Sequence, residues 1–180
     1  MRVPKNDPYW DSFINRPPAD PNNVIPFAFR GLKEGDPNPA QTAVHSPNVM
    51  SGHIKELGQF YGADLVGIVG LVSEPGFAIV SVLKADYDPR AAHGVGGQTP
   101  LLKGLFETFT LAAYIRELGY SATRVSAEDN RGEWLAAAAG LGTLDASGRL
   151  VHQRFGRGVH VAEVIITDLP LQPDGQESSA

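Results

Sequence analysis

The densest group of side chains that could do chemistry lies near the end of the sequence. Five basic side chains fall within twelve residues that contain no acidic one: Arg149, His152, Arg154, Arg157 and His160. Guanidinium groups bind phosphate and carboxylate through paired hydrogen bonds. In a chain of net charge -5 this basic run could therefore hold an anionic ligand. The same composition is equally typical of a solvated strand face, and the residue types alone leave both interpretations open.

Small residues surround the basic run. Four alanines at Ala136–Ala139 lead into Gly140-Leu141-Gly142, and more glycines follow at Gly148, Gly156 and Gly158. Alanine and glycine let a neighbouring group approach the backbone closely. The segment therefore predicts either a tight contact between two elements, which is the commoner case, or a flat ligand lying against the chain.

The composition limits the classes of protein to consider. The chain has 180 residues, 42% of them hydrophobic, which is enough for one domain with a buried core. Its negative charge argues against a nucleic-acid binder or a protein of anionic membranes. It contains no cysteine, so these residues supply no disulfide, thiolate zinc site or ligand for an iron–sulfur cluster. No stretch is typical of a signal peptide or a membrane span, and we expect a cytoplasmic protein.

Periodicity predicts the elements that must position these residues. In chain order they are a helix over 49–62, strands over 63–69 and 77–83, a flexible Gly-rich loop over 86–100, a helix over 101–118, a strand over 122–127, a short helix over 131–139 and a strand over 159–166. Strands interspersed with helices favour an α+β sandwich over a doubly wound parallel sheet.

The chain divides into three parts. Residues 1–48 form a mostly irregular arm rich in proline and aromatic residues, which packs either on its own domain or on a partner subunit, as in a homodimer. Residues 49–171 form the domain. Residues 172–180 form a polar tail that we expect to be disordered.

Four segments, in this order, resemble the corrinoid-binding domain of the reductive dehalogenases and the epoxyqueuosine reductases: IKELGQFYGADLVGIVGL, FAIVSVLKADYD, LAAYIRELGYSA and AAAAGLGTLDASGRLVHQRFGRGVHVAEVIITDLPL. The most specific feature is A-G-L-G at Ala139–Gly142 followed about 25 residues later by T-D-L-P-L at Thr167–Leu171. The resemblance implies a nitroreductase-like α/β sandwich with a mixed central sheet flanked by helices. It also implies that the domain binds cobalamin.

The resemblance also implies site residues. The loop after A-G-L-G lies near the corrinoid in that family, so the expected cofactor-binding residues are Leu141, Gly142, Thr143, Leu144, Asp145, Ser126 and Arg157. The catalytic arginine of the dehalogenases aligns with His160, which could replace it as a cation or an acid because histidine titrates near neutral pH. The catalytic aspartate of the epoxyqueuosine reductases aligns near Ser126, and the alignment can slide towards Asp129. The expected catalytic residues are His160, Asp129 and Asn130.

The sequence departs from the family in ways that bear on function. The family places cysteines for two iron–sulfur clusters after T-D-L-P-L, whereas this sequence ends nine residues after Leu171 and has no cysteine. Asp145 stands where the family usually has glycine, and the dehalogenases' catalytic tyrosine has no counterpart near Leu101. We therefore expect no iron–sulfur cluster and no internal electron relay, with an external reductase as electron donor.

Three functions remain open. The first is a stand-alone cobalamin-binding protein that handles corrinoids or catalyses a corrinoid-dependent reaction. The second is an enzyme on the same fold that uses flavin or no cofactor, with Asp129, Asp145 and His160 as acid/base groups. The third is a non-catalytic partner subunit. We expect no nucleic-acid or membrane partner for any of them.

Overall fold

A computed structural model describes residues 7–20, 23, 32–72, 76–126 and 131–174. Within these ranges the α-helices are α1 (Pro8–Asn15), α2 (Pro47–Phe60), α3 (Thr99–Glu117) and α4 (Arg131–Ala138). The strands are β1 (Leu65–Gly70), β2 (Phe77–Lys84), β3 (Ala122–Val125), β4 (Thr143–Leu144), β5 (Leu150–Val151), β6 (Val159–Val161) and β7 (Val164–Thr167). Within the described ranges, no helix is both long enough and apolar enough to cross a membrane.

The main sheet has the order β1-β2-β7-β3, with β6 beside the end of β2, and β4 pairs with β5 separately. This arrangement confirms the α+β class. Every pairing between the described strands is antiparallel, so the expected mixed sheet is wrong for this part of the chain. The reason is topological. The helix α3 joins β2 and β3, which run in the same direction, but β7 lies between them and opposes both.

The two faces of the central strand β2 carry two separate hydrophobic cores. Ile79 packs with side chains of α2 and α3, and Ala78, Val80 and Val82 pack with α4, β6 and β7. This division follows from the alternation of side chains along a strand. The sheet is therefore buried on both faces, with α2 and α3 on one side and α4 on the other.

A β-bulge interrupts the strand that the sequence predicts over residues 159–166. Val82 pairs with Val161, whereas Ile79 pairs with Ile165, so the second strand contains one extra residue between these two pairs. The shift lets Val161 and Val164, three residues apart, pack into the same core cluster. It divides the predicted strand into β6 and β7.

The arm contains a helix that the sequence did not predict. The Asp7 carboxylate caps α1 by accepting the Tyr9 N–H at 2.9 Å, and Pro8 occupies the first turn. The helix packs on the Gly-rich loop, where the Gly94 N–H donates to the Ile14 carbonyl at 2.7 Å. A Cβ on Gly94 would lie 2.3 Å from the Phe13 carbonyl oxygen. The Gly-rich loop over 86–100, which was expected to be a flexible connection, is therefore closely packed against α1.

A second part of the arm completes the carboxyl end of α3. The Asn38 N–H donates to the Arg116 carbonyl at 2.8 Å, and the Thr42 N–H donates to the Leu118 carbonyl at 2.9 Å. These bonds satisfy carbonyls that a helix leaves without intrahelical partners at its end. The described arm residues thus pack on their own domain, and the alternative of a partner subunit stays a prediction.

Candidate functional site

The A-G-L-G segment is held by close packing. Gly140 has φ +74°, which ends α4 in the left-handed conformation that glycine adopts without strain. The Leu141 side chain lies against β1, where a Cβ on Gly67 would come within 3.1 Å of Leu141 Cδ1. A Cβ on Gly142 would lie 2.7 Å from the Val151 carbonyl oxygen. Tight contact between elements therefore accounts for the small residues, which is the commoner of the two alternatives considered from the sequence.

Asp145 organises the turn between β4 and β5. Its Oδ1 accepts the Ser147 N–H at 2.8 Å, the Ser147 hydroxyl at 2.6 Å and the Arg149 N–H at 3.1 Å. Its Oδ2 lies 2.7 Å from Arg157 Nη2. The Ser147 hydroxyl, the backbone donors and the Arg157 charge lower the pKa of this carboxyl to about 2. Asp145 is consequently a permanently charged turn residue at neutral pH.

Much of the basic run is neutralised by ion pairs. Arg149 binds Asp88 through two bonds of 2.7 and 2.9 Å, which lower the pKa of Asp88 and raise that of Arg149. Arg157 is paired with Asp145. A neighbouring pair joins Arg90 Nη2 to Glu133 Oε1 at 2.6 Å. The cations of the basic run are therefore not all equally available to an outside anion.

His160 is the middle residue of β6, which pairs with the end of β2. It pairs with Leu83, so both side chains point to the face covered by α3. The residue keeps part of its surface exposed, but Nε2 is buried without a hydrogen-bond partner in the described structure. Burial, and secondarily the Arg90 charge, lower the pKa of the imidazole to about 4. With this pKa His160 is uncharged near neutral pH, and its proposed role as a cation or an acid stays a prediction.

Two cavities lie on either side of the segment that follows β2. The first, of about 360 Å³, is walled by α1 and the start of α3, including Trp10, Phe13 and Lys103. The second, of about 410 Å³, is lined by Arg154, Phe155 and Gly158. Both are lined by residues 84–87. In this shared wall the Tyr87 hydroxyl donates to the Gly96 carbonyl at 2.9 Å, and burial raises the pKa of the phenol.

The structure brings together only some of the residues that the sequence proposes. Asp145 and Arg157 form a direct ion pair, whereas none of the residues 141–144 lines either cavity. Ser126 follows β3 and is exposed, and Asp129 and Asn130 lie outside the described residues. In the described ranges, no group of three or more metal-ligating side chains is placed to hold a metal ion. The roles assigned to these residues stay predictions.

Sequence reasoning did not identify Lys84, Tyr87 and Phe155 as cavity residues. Lys84 follows the strand predicted over 77–83, and Tyr87 lies in the loop predicted over 86–100. Their juxtaposition with Phe155 depends on the pairing of β2 with β6, where Lys84 opposes Val159. Only the tertiary structure supplies that register.

Curated proteins include relatives of part of this chain. No protein-family model matches the sequence. The tetrachloroethene reductive dehalogenases of Dehalobacter restrictus and Desulfitobacterium hafniense are each 32% identical to it over 106 residues, which is 56% of this chain and 19% of theirs. The chain is therefore partially homologous to the catalytic region of the reductive dehalogenases, as the sequence segments indicated.

Solved structures agree on the fold. A variant of the catabolic reductive dehalogenase NpRdhA matches with a TM-score of 0.71 and 23% identity over 89% of this chain and 26% of that chain. A reductive dehalogenase structure that suggests a mechanism for B12-dependent dehalogenation matches with a TM-score of 0.69 and 22% identity, over 89% of this chain and 27% of that one. The chain thus spans about a fifth of its curated relatives and about a quarter of these solved chains.

Proposed function

We propose that the chain is a corrinoid-binding relative of the reductive dehalogenase catalytic domain that acts in corrinoid handling or in a corrinoid-dependent reaction. The observation that carries the proposal is the 32% identity over 106 residues with tetrachloroethene reductive dehalogenases. The fold is shared with a dehalogenase whose reaction is B12-dependent. Electrons for any reaction would come from an external reductase, because these residues include no cysteine to ligate an iron–sulfur cluster.

The residues of the two cavities fit one side of a corrinoid site. Cavities of about 360 and 410 Å³ lie within the roughly 300–1,000 Å³ range of pockets for drug-sized ligands. A corrinoid is larger than such a ligand, so residues of both cavities would be needed to hold it. The wall that the cavities share offers hydrogen-bonding groups of Lys84, Asp86 and Tyr87 for the amides at the corrin edge.

A bound corrinoid would supply the cobalt redox chemistry, and the residues of this chain would supply its surroundings. With a pKa of about 4, His160 would be neutral near pH 7 and would offer a buried Nε2 for a hydrogen bond rather than a charge. The backbone of residues 141–144 and the Asp145–Arg157 pair are the further contacts that the family resemblance proposes.

Titration of the purified protein with hydroxocobalamin tests this function. Binding at micromolar protein should shift the visible absorption bands of hydroxocobalamin. The bound corrinoid should also elute together with the protein in size-exclusion chromatography. Heat-unfolded protein is the matched control. A His160→Gln variant that still folds should alter the spectrum of the bound corrinoid. If the colour separates completely from the folded wild-type protein, the corrinoid proposal is wrong.

The cavity volumes favour a second candidate, an enzyme that uses flavin or binds its substrate directly. Either cavity alone suits a ligand of that size better than a corrinoid. Of the proposed acid/base groups, Asp145 is bound in its turn and Asp129 lies outside the described residues, which leaves His160. A yellow chromophore released on denaturing freshly purified protein would support flavin. A colourless protein would leave direct substrate binding as the remaining form of this candidate.

A further inference from the structure

The second cavity has an electrostatic character that separates it from the rest of the basic run. We call it the Phe155 cavity, defined by Lys84, Ala85, Asp86, Tyr87, Arg154, Phe155 and Gly158. Arg149 and Arg157 of the run are each bound to a carboxylate at 2.7 Å. The Arg154 guanidinium has no carboxylate within ion-pair distance among the described residues. Arg154 is therefore the arginine of the run that is still available to an anion from outside.

A second cation joins Arg154 from another element. Lys84, the last residue of β2, places Nζ 5.7 Å from the centroid of the Phe155 ring, and Arg154 places Cζ at the same distance. The Lys84 ammonium lies 3.7 Å from Asp86, a long contact between partly exposed groups. Two cations thus lie near one aromatic ring, with one carboxylate beside Lys84. The cavity carries a net positive charge in a chain whose total charge is -5.

The walls of the cavity are fixed by the backbone. The Ala85 N–H donates to the Gly158 carbonyl at 2.8 Å, and a Cβ on Gly158 would lie 2.6 Å from the Ala85 carbonyl oxygen. His152 and Gly156 exchange backbone hydrogen bonds of 3.1 and 2.8 Å, which close the loop that carries Phe155. The His152 ring also stacks on Phe155 at 4.6 Å between centroids. A site built on fixed backbone loses less conformational entropy when a ligand binds.

We propose that the Phe155 cavity binds a small aromatic ligand that carries a carboxylate or phosphate group. The ring of the ligand contacts Phe155 and Tyr87, and its anionic group lies between Lys84 and Arg154. Aromatic rings pair favourably with each other, and charged hydrogen bonds are the strongest that a cation can form with an anion. This inference does not depend on corrinoid binding, since the cavity is formed without that group, and a corrinoid held by residues 84–87 would compete with the aromatic ligand.

Calorimetric titration of the full chain with phenyl phosphate, benzoate and inorganic phosphate tests the proposal. Phenyl phosphate should bind the wild-type protein, and Arg154→Gln should weaken it at least about tenfold, the usual effect of removing a charged hydrogen bond. Lys33→Gln removes the same charge from an exposed residue outside both cavities and should leave affinity within about twofold. Phe155→Leu should weaken phenyl phosphate and benzoate but not inorganic phosphate.

Two results would overturn the proposal. One is that none of the three probes binds the wild-type protein at millimolar concentration. The other is that Arg154→Gln and Lys33→Gln weaken binding equally, which would indicate diffuse attraction to the surface. Thermal unfolding of each variant checks that it folds. If Arg154→Gln does not fold, Lys84→Gln tests the same site, and it should also weaken the binding of phenyl phosphate. Failure of the hydroxocobalamin titration leaves the expected results of this experiment unchanged.

Discussion

Glu107 provides a test of how this chain buries a carboxyl group. It lies in α3 with no exposed surface, and its Oε1 accepts the Ser81 hydroxyl at 2.9 Å. Oε2 is buried without a partner among the described residues. Burial raises the pKa of this carboxyl to about 8, against an ordinary value of 4.5. The folded protein should therefore hold Glu107 in its protonated form at neutral pH.

The pH dependence of the free energy of unfolding follows from this pKa. Because the folded state holds the proton more tightly, stability is complete below pH 4.5 and is lost as pH rises towards 8. His160 has the opposite effect, since its pKa falls from 6.5 to about 4 and its contribution is lost as pH falls through that interval. Between pH 4.5 and 6.5 the effects of Glu107 and His160 on the free energy of unfolding therefore oppose each other. Above pH 6.5 only Glu107 of this pair contributes, at about 1.4 kcal/mol per pH unit, or about 2 kcal/mol by pH 8.

Urea unfolding at several pH values between 6.5 and 8 measures this slope. Glu107→Gln keeps an oxygen for the Ser81 hydroxyl and removes the titrating proton, so its stability should be nearly constant over the same range. Glu117→Gln is the matched control, because Glu117 lies exposed on the same helix and should leave the wild-type slope unchanged. If wild type and Glu107→Gln have the same slope, the carboxyl is ionised in the folded protein and the reasoning from burial is wrong.

Three further predictions concern packing and the turn. Gly94→Ala should displace α1 and expose Trp10 to fluorescence quenchers, because the new Cβ meets the Phe13 backbone carbonyl at 2.3 Å, whereas the control Gly52→Ala places its Cβ in open space and should leave α1 in position. Asp145→Ala should speed hydrogen exchange of the Ser147 amide severalfold, since the amide loses its hydrogen-bond acceptor, while Asp145→Asn keeps an accepting oxygen and should change it less. In wild-type protein, protection of the same amide should persist on acidification and be lost only as pH falls from 3.8 towards 2, where Asp145 protonates.

Some features were predictable because they depend on local pattern. The helices over 49–62 and 101–118 correspond to α2 and α3, each of which begins two residues earlier, at Pro47 and at Thr99. In both cases a proline lies in the first turn of the helix, where proline is well tolerated. Treating proline as a helix breaker therefore placed the predicted start two residues too late. The break between β6 and β7 could not be predicted, since continuous apolar residues carry no mark of a bulge opposite another strand.

The sequence by itself determined the α+β class, the helices α2, α3 and α4, most of the main-sheet strands, and the relationship to the reductive dehalogenases. These depend on residue identity and spacing along the chain. The tertiary structure decided which cations of the basic run are available, that His160 is neutral, and where the cavities lie. Charge pairing and desolvation are interactions across space. Asp88 and Arg149 stand 61 residues apart, and nothing in their local sequences shows that one neutralises the other.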